Sequence, residues 1–220
     1  MPFYINIHSH SKAIGREWVL QNLHSGFEDL TPDKCYSVGL HPWFIHEEAL
    51  PEQLRVLEEA ATRPQVKAIG ECGLDRLCNT PMSLQKDAFH EQILLAIHYK
   101  KPLIVHCVRA LDETIRELDR TQFAFPVLFH GFAGSSTRAL QLTQKGYYLS
   151  FGKQLLQSRM QQMLSELPKE QWLLETDDHS IPIERLYEIA AKSLNIPEDV
   201  LSLQIQKNAT SFLGFAPTII

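Results

Sequence analysis

The sequence predicts an α/β fold, a single (β/α)8 TIM-like barrel whose first two crossover helices are shortened or missing. Three observations lead there. Short apolar segments without strong alternation recur along the chain, which is how parallel strands buried on both faces read. From residue 51 onward amphipathic helical segments separate them, the repeat of a sheet covered on its outside by helices. Several of the strands end in His, Glu or Asp, at the edge where parallel barrels carry their chemistry.

The chain has 220 residues, 44% of them hydrophobic, enough to bury a core as one domain over residues 1–220. A net charge of -5 argues against a strongly electropositive nucleic-acid binder, while leaving a local basic patch or a metal-mediated phosphate site open. No apolar run approaches the roughly 18 residues of a membrane helix. Met1-Pro2-Phe3-Tyr4 lacks the basic-then-apolar pattern of a signal peptide, so the expectation is a soluble cytoplasmic protein with no membrane partner. Cys35, Cys72, Cys78 and Cys107 form no CxxC pair, which points to reduced thiols rather than a zinc ribbon or redox site. The oligomeric state stays open, and a monomer is compatible with the sequence.

The first strand contains Phe3, Ile5 and Ile7 and closes on His8-Ser9-His10. Side chains alternate along a strand, so the two imidazoles point the same way. The second strand is Trp18 to Leu23, and the third is Cys35 to Leu40, ending at His41-Pro42-Trp43. The links before them are too short or too rich in turn residues for a crossover helix of about a dozen residues. Pro51 to Ala60 reads as a helix with proline in its first turn, and Val66 to Glu71 as the fourth strand. Ser83 is expected to cap a helix through Tyr99 whose apolar face includes Leu84, Ala88, Ile93, Leu94 and Ile97. The strand Leu103–His106, a helix over 110–119, the strand Val127–His130 and a helix over 135–144 follow, the last stopped by Gly146. The strand Tyr147–Phe151, a helix over 155–167, the strand Trp172–Thr176 and helices over 183–194 and 197–212 complete the chain. An open doubly wound sheet is the rival fold, but no G-x-G-x-x-G follows a strand.

His8 and His10 follow the first strand, Glu71 the fourth, His106 ends the fifth, His130 the sixth, and Asp177 follows the eighth. Six such groups exceed one tetrahedral site and suit two divalent metal ions sharing a bridging carboxylate. Glu71 is the expected bridge, with His8, His10 and Asp177 on one ion and His106 and His130 on the other. Zinc, manganese and magnesium all fit this donor set.

These residues and their surroundings resemble the TatD-type metal-dependent hydrolases and deoxyribonucleases of the amidohydrolase-like barrels. The resemblance is carried in order by His8-Ser9-His10, Gly39-Leu40-His41-Pro42-Trp43, Gly70-Glu71-Cys72-Gly73-Leu74-Asp75, Pro102 to Cys107, His130 to Ser135, Gly146 to Gly152, Leu174 to Asp177 and Asn208 to Gly214. It implies a TIM-like barrel, a metal site on the same six ligands, and hydrolysis of ester bonds, DNA above all. Three departures stand out. Asn6 replaces the usual Asp of the opening motif, Cys107-Val108-Arg109 replaces a common Arg-Asp pair, and Asp178-His179 replaces a small residue and proline.

The function expected is a metal-dependent phosphodiesterase or deoxyribonuclease whose nucleophile is a metal-bridging water, with Glu71 and Asp177 as catalytic residues and Asp177 as proton acceptor. His41, Arg76 and Arg109 are candidate substrate contacts, and Trp43 is either a base-stacking or a packing residue. A second reading keeps the metals and takes a small phosphate ester, lactone or amide. A third is a non-enzymatic barrel used for partner binding, which a degraded ligand set would favour.

Overall fold

The computed structural model describes residues 3–218, so Met1 and Pro2 of the amino-terminal reading lie outside the described residues. The strands are β1 (Tyr4–Ser9), β2 (Glu17–Leu23), β3 (Cys35–Val38), β4 (Val66–Asp75), β5 (Leu103–Val108), β6 (Val127–Phe129), β7 (Tyr148–Phe151) and β8 (Trp172–Leu174). They make one eight-stranded sheet in chain order. The helices are α1 (Leu50–Ala61), α2 (Met82–Tyr99), α3 (Leu111–Arg120), α4 (Ser136–Gln144), α5 (Ser158–Glu166), α6 (Ile183–Leu194) and α7 (Glu198–Leu213). No α-helix separates β1 from β2, and a 3-10 turn at Phe27–Asp29 is the only helical turn between β2 and β3, so the first two crossovers are reduced as expected. Among the described residues no helix is long and apolar enough to cross a membrane.

Contacts divide the chain into two compact units. One runs up to Gln21 and resumes at Leu128, and the other is Asn22–Val127. In the first, β6, β7 and β8 pair in parallel, as do β1 and β2. Ser9 and Asp177 form a parallel bridge that brings the end of β1 beside the chain leaving β8. Because β8 is only three residues long, Tyr187 of α6 serves β1 lower down, accepting from the Ile5 amide at 2.9 Å and donating to the Ile5 carbonyl at 3.1 Å. Buried Asn208 of α7 donates to the carbonyls of Lys169 and Trp172 at 2.7 and 2.8 Å, satisfying groups that would otherwise be stranded at the base of β8.

In the second unit β4 pairs in parallel with β3 and β5. β4 runs four residues beyond the expected end at Glu71, because Cys72 to Asp75 stay in register with Val105 to Val108 of β5. α2 also departs from expectation. Ser83 is not its cap: Pro81 precedes the helix without a side-chain cap bond, and Ser83 lies inside the first turn. Leu84 is half-buried and Leu94 is 42% exposed. The inner face is instead Gln85, Ala88, Phe89, Gln92, Ile93 and Ala96, because two glutamines on it serve the backbone of neighbouring loops. The helix expected over 155–167 is interrupted. A 3-10 turn at Lys153–Leu156 ends at extended Gln157, and α5 starts at Ser158.

Candidate metal centre

In the unit Asn22–Val127, Glu71 lies within β4 and is buried. Asn22 fixes its backbone, its Oδ1 accepting from the Glu71 amide at 2.8 Å and from the Ser37 hydroxyl at 2.9 Å. Glu71 Oε1 lies 2.7 Å from Nδ1 of His106 on β5 and 3.2 Å from Nε2 of His41. The loop bearing His41 is held by Gln92, which accepts from the Leu40 amide at 2.7 Å and donates to the Leu40 carbonyl at 3.2 Å. His41 Nδ1 accepts from the Trp43 amide at 3.1 Å. The proton of its neutral ring therefore sits on Nε2, facing Glu71. His41, Glu71 and His106 each offer one ligand atom within 4.8 Å of the others.

Asp75, at the end of β4, has a role the sequence did not suggest. Its Oδ2 lies 3.3 Å from His106 Nε2 and accepts from the Trp43 indole at 2.7 Å, while Oδ1 accepts from the Leu77 amide at 2.7 Å. Gln85 holds its backbone at both ends, accepting from the Asp75 amide at 2.7 Å and donating to the Asp75 carbonyl at 2.9 Å. Burial works to raise this carboxyl, but the bonds from Trp43, Leu77 and His106 outweigh it and hold the group below its ordinary range. A carboxylate on the second nitrogen of a histidine fixes ring and tautomer, leaving Nδ1 for other partners. The signal for it was the second acid of Gly70-Glu71-Cys72-Gly73-Leu74-Asp75.

In the other unit, Asp177 follows β8 in a left-handed conformation with φ 55°. Its amide donates to the His8 carbonyl at 3.0 Å, and the His10 amide donates to its carbonyl at 3.1 Å. This ladder sets both imidazoles against one carboxylate, with His8 Nε2 and His10 Nε2 each 3.5 Å from Asp177 Oδ1. Burial would raise the Asp177 carboxyl, yet the bonds from His10 and His8 and the charges of His8 and His130 push it well below the carboxylate range. The His130 ring lies 4.4 Å from that of His8, and its Nδ1 is 3.5 Å from Oε1 of Glu175. Glu175 is buried, and that Oε1 makes no hydrogen bond. His130, Glu175 and Asp177 together offer three ligand atoms within 4.8 Å. A buried carboxylate oxygen without a hydrogen bond, amid imidazole nitrogens, fits a cation as partner.

Residues at the departures also find their places. Asn6 Oδ1 accepts from the Thr176 amide at 3.0 Å, and its Nδ2 donates to the Thr176 hydroxyl at 2.8 Å and to Glu17 at 3.3 Å. A carboxylate therefore still stands against position 6, supplied by Glu17. Asp178 is exposed and lies 3.1 Å from His179. Arg76 pairs with Glu113. Arg109 is exposed, at the left-handed turn before α3.

The structure thus groups His8, His10, His130 and Asp177 in one unit and Glu71 and His106, with His41 against them, in the other. Donors of this kind, carried by parallel strands of an α/β fold, are those that a divalent metal ion takes. The chain belongs to the TatD-related DNase family, whose model matches residues 21–213. It is 29% identical over 174 residues to an uncharacterized metal-dependent hydrolase of Haemophilus influenzae, covering 74% of this chain and 65% of that protein. It is 33% identical over 153 residues to the 3'-5' ssDNA/RNA exonuclease TatD of Cronobacter turicensis, covering 65% of this chain and 57% of that protein. The chain thus spans somewhat under two thirds of the length of these curated relatives. Its fold matches the crystal structure of YjjV, a TatD homologue from Escherichia coli, with a TM-score of 0.79 at 23% identity, over 96% of this chain and 98% of that one.

Proposed function

We propose that the protein is a divalent-metal-dependent phosphodiesterase acting on single-stranded nucleic acid, and that its two groups of ligands serve one binuclear centre. The observation that carries this reading is that each unit independently gathers buried and half-buried imidazoles and carboxylates at or just beyond its parallel strands. His8, His10 and Asp177 would hold one ion, His106 and His130 the other, and Glu71 would bridge them. Glu175 joins the candidates through its unbonded Oε1. Zinc, manganese and magnesium remain the candidate ions. The name borne by the Cronobacter relative supports single-stranded DNA or RNA as substrate, and four free cysteines fit a reducing, cytoplasmic setting.

When bound, a pair of divalent ions supplies Lewis-acid polarisation of the phosphoryl group and acidifies a water toward neutral pH. The remaining work falls to side chains. Asp177, ionised at neutral pH, accepts the proton of the attacking water at a carboxylate oxygen. His8 and His10 face its Oδ1 through the same Nε2 atoms they would offer to a cation, so the two imidazoles and the carboxylate converge on one point. His41 steadies Glu71 from its protonated Nε2, and Asp75 steadies His106. Arg76 and Arg109 would meet phosphates flanking the scissile one.

The second reading, a small phosphate ester, lactone or amide as substrate, is favoured by the shortened first crossovers. The discriminating assay strips the protein with a chelator, restores manganese, magnesium or zinc, and offers single-stranded oligonucleotides beside small esters. Metal-dependent shortening of the oligonucleotide is expected. Ester cleavage with intact DNA and RNA would transfer the proposal to the second reading, and inactivity toward all of them in folded, metal-loaded protein would end the hydrolase reading.

A further inference from the structure

We infer that Trp43 and Leu77 form a nucleobase subsite beside the Glu71–His106 group, an inference that rests on the nuclease reading above and names where its substrate's base is held. Three observations carry it. First, Trp43 is 57% exposed although it sits next to buried polar groups. It is fixed there, its indole N–H donating to Asp75 at 2.7 Å and its ring edge-on to His41 at 5.0 Å and 6.2 Å from His106. A large aromatic locked by its polar edge, with much of its surface left to solvent, is a stacking platform whose ordering cost is already met in the free protein.

Second, the indole lines a cavity of about 420 Å³ together with Asp75, Leu77, Cys78, Asn79, Thr80 and Val108, a size in the range of small-ligand sites. Leu77 is 62% exposed on it, and its backbone is tied to the Asp75 carboxylate. The backbone of this apolar wall is therefore anchored, and the leucine side chain is open to solvent. Third, the two arginines suggested for substrate contact leave the chain beside this cavity. Arg76 follows Asp75, Arg109 follows Val108, and the Arg76 amide donates to the Val108 carbonyl at 3.0 Å. A cavity whose apolar wall is Trp43, Leu77 and Val108, whose remainder offers the polar groups of Asp75, Asn79 and Thr80, and which has exposed Arg109 next in the chain to Val108, matches a nucleotide whose base stacks while its phosphates stay outside. Stacking is tolerant of sequence because every base presents a π face.

The protein provides its own probe. Trp18 and Trp172 are 8% and 1% exposed, so solvent-exposed emission belongs to Trp43. The metal-loaded protein is titrated with deoxyadenosine monophosphate and, in parallel, with inorganic phosphate. Saturable quenching by the nucleotide but not by phosphate is expected, and Trp43→Phe should remove both the exposed emission and its quenching. Leu77→Ala, which keeps the backbone bond to Asp75, should raise KM for a single-stranded oligonucleotide about tenfold, with a smaller effect on kcat. Protein that degrades the oligonucleotide yet shows no quenching, or equal quenching by phosphate, would overturn the subsite and leave the nuclease reading standing. Quenching without any nucleic-acid cleavage would uphold the subsite and count against the nuclease reading.

Discussion

At the scale of single residues, the polar side chains behind the proposed ligands shape the site as much as those ligands do. His106 is held between Glu71 at 2.7 Å and Asp75 at 3.3 Å, and Asp75 is itself held by Trp43, Leu77 and Gln85. Asp75→Asn keeps the shape but removes the charge that would raise the basicity of His106 as a proposed ligand. A loss of about 10–100-fold in metal affinity is expected, with the fold intact, when metal binding is followed by calorimetry. An unchanged affinity would reduce Asp75 to a packing role. Asn6 shows the complementary case. Its amide can donate and accept at once, and it uses both abilities to join β1 to the Thr176 backbone and hydroxyl.

Among the elements, β4 carries the tightest constraint. Gly73 has φ 139°, and a methyl group added there would run into the His106 carbonyl of β5. Gly73→Ala is therefore expected to cost roughly 2–5 kcal/mol, combining backbone strain and overpacking, read as a fall in the denaturation midpoint. Displacement of β5 should also weaken metal binding through His106. The packing of α7 on β1 rests in part on a tyrosine–carboxylate bond. The Tyr4 hydroxyl donates to Glu198 at 2.5 Å, and this bond, followed by burial, raises the tyrosine from 10.0 to about 12. The folded state holds that proton more tightly than the unfolded chain. The resulting stability is present in full below pH 10 and disappears as pH climbs toward 12. Denaturation measured across that window should show a steeper loss for the native protein than for Tyr4→Phe, and parallel curves would refute the assignment.

For the molecule as a whole, the proposed centre makes stability depend on metal. Removal by a chelator should lower the thermal midpoint, and restoring manganese or zinc at 100 times its dissociation constant should return about 2.7 kcal/mol for each ion bound. Glu71→Gln should abolish most of that response along with activity, because an amide cannot balance two cations. A thermal midpoint indifferent to metal in both proteins would argue against ion binding at these residues.

The barrel was readable from residue order because parallel strands, buried on both faces, must be apolar and must be followed by a covering helix, and this periodicity survives without any contact being known. The reduced first crossovers were equally legible, since the first link is too short for a helix and the second is polar and rich in turn residues. The six expected ligands could be proposed from His, Glu and Asp in or just after apolar segments, a local feature, although Glu71 lies well inside β4 rather than at its end. Their supporting residues could not. Gln85 and Gln92 sit on a helix face that reads as apolar, and their purpose emerges only when the backbones of Asp75 and Leu40 are seen beside them. Glu175 stood next to an expected ligand yet gave no sign of its buried, unbonded oxygen. Which imidazole meets which carboxylate is set by packing between segments distant in sequence, and no local pattern encodes that.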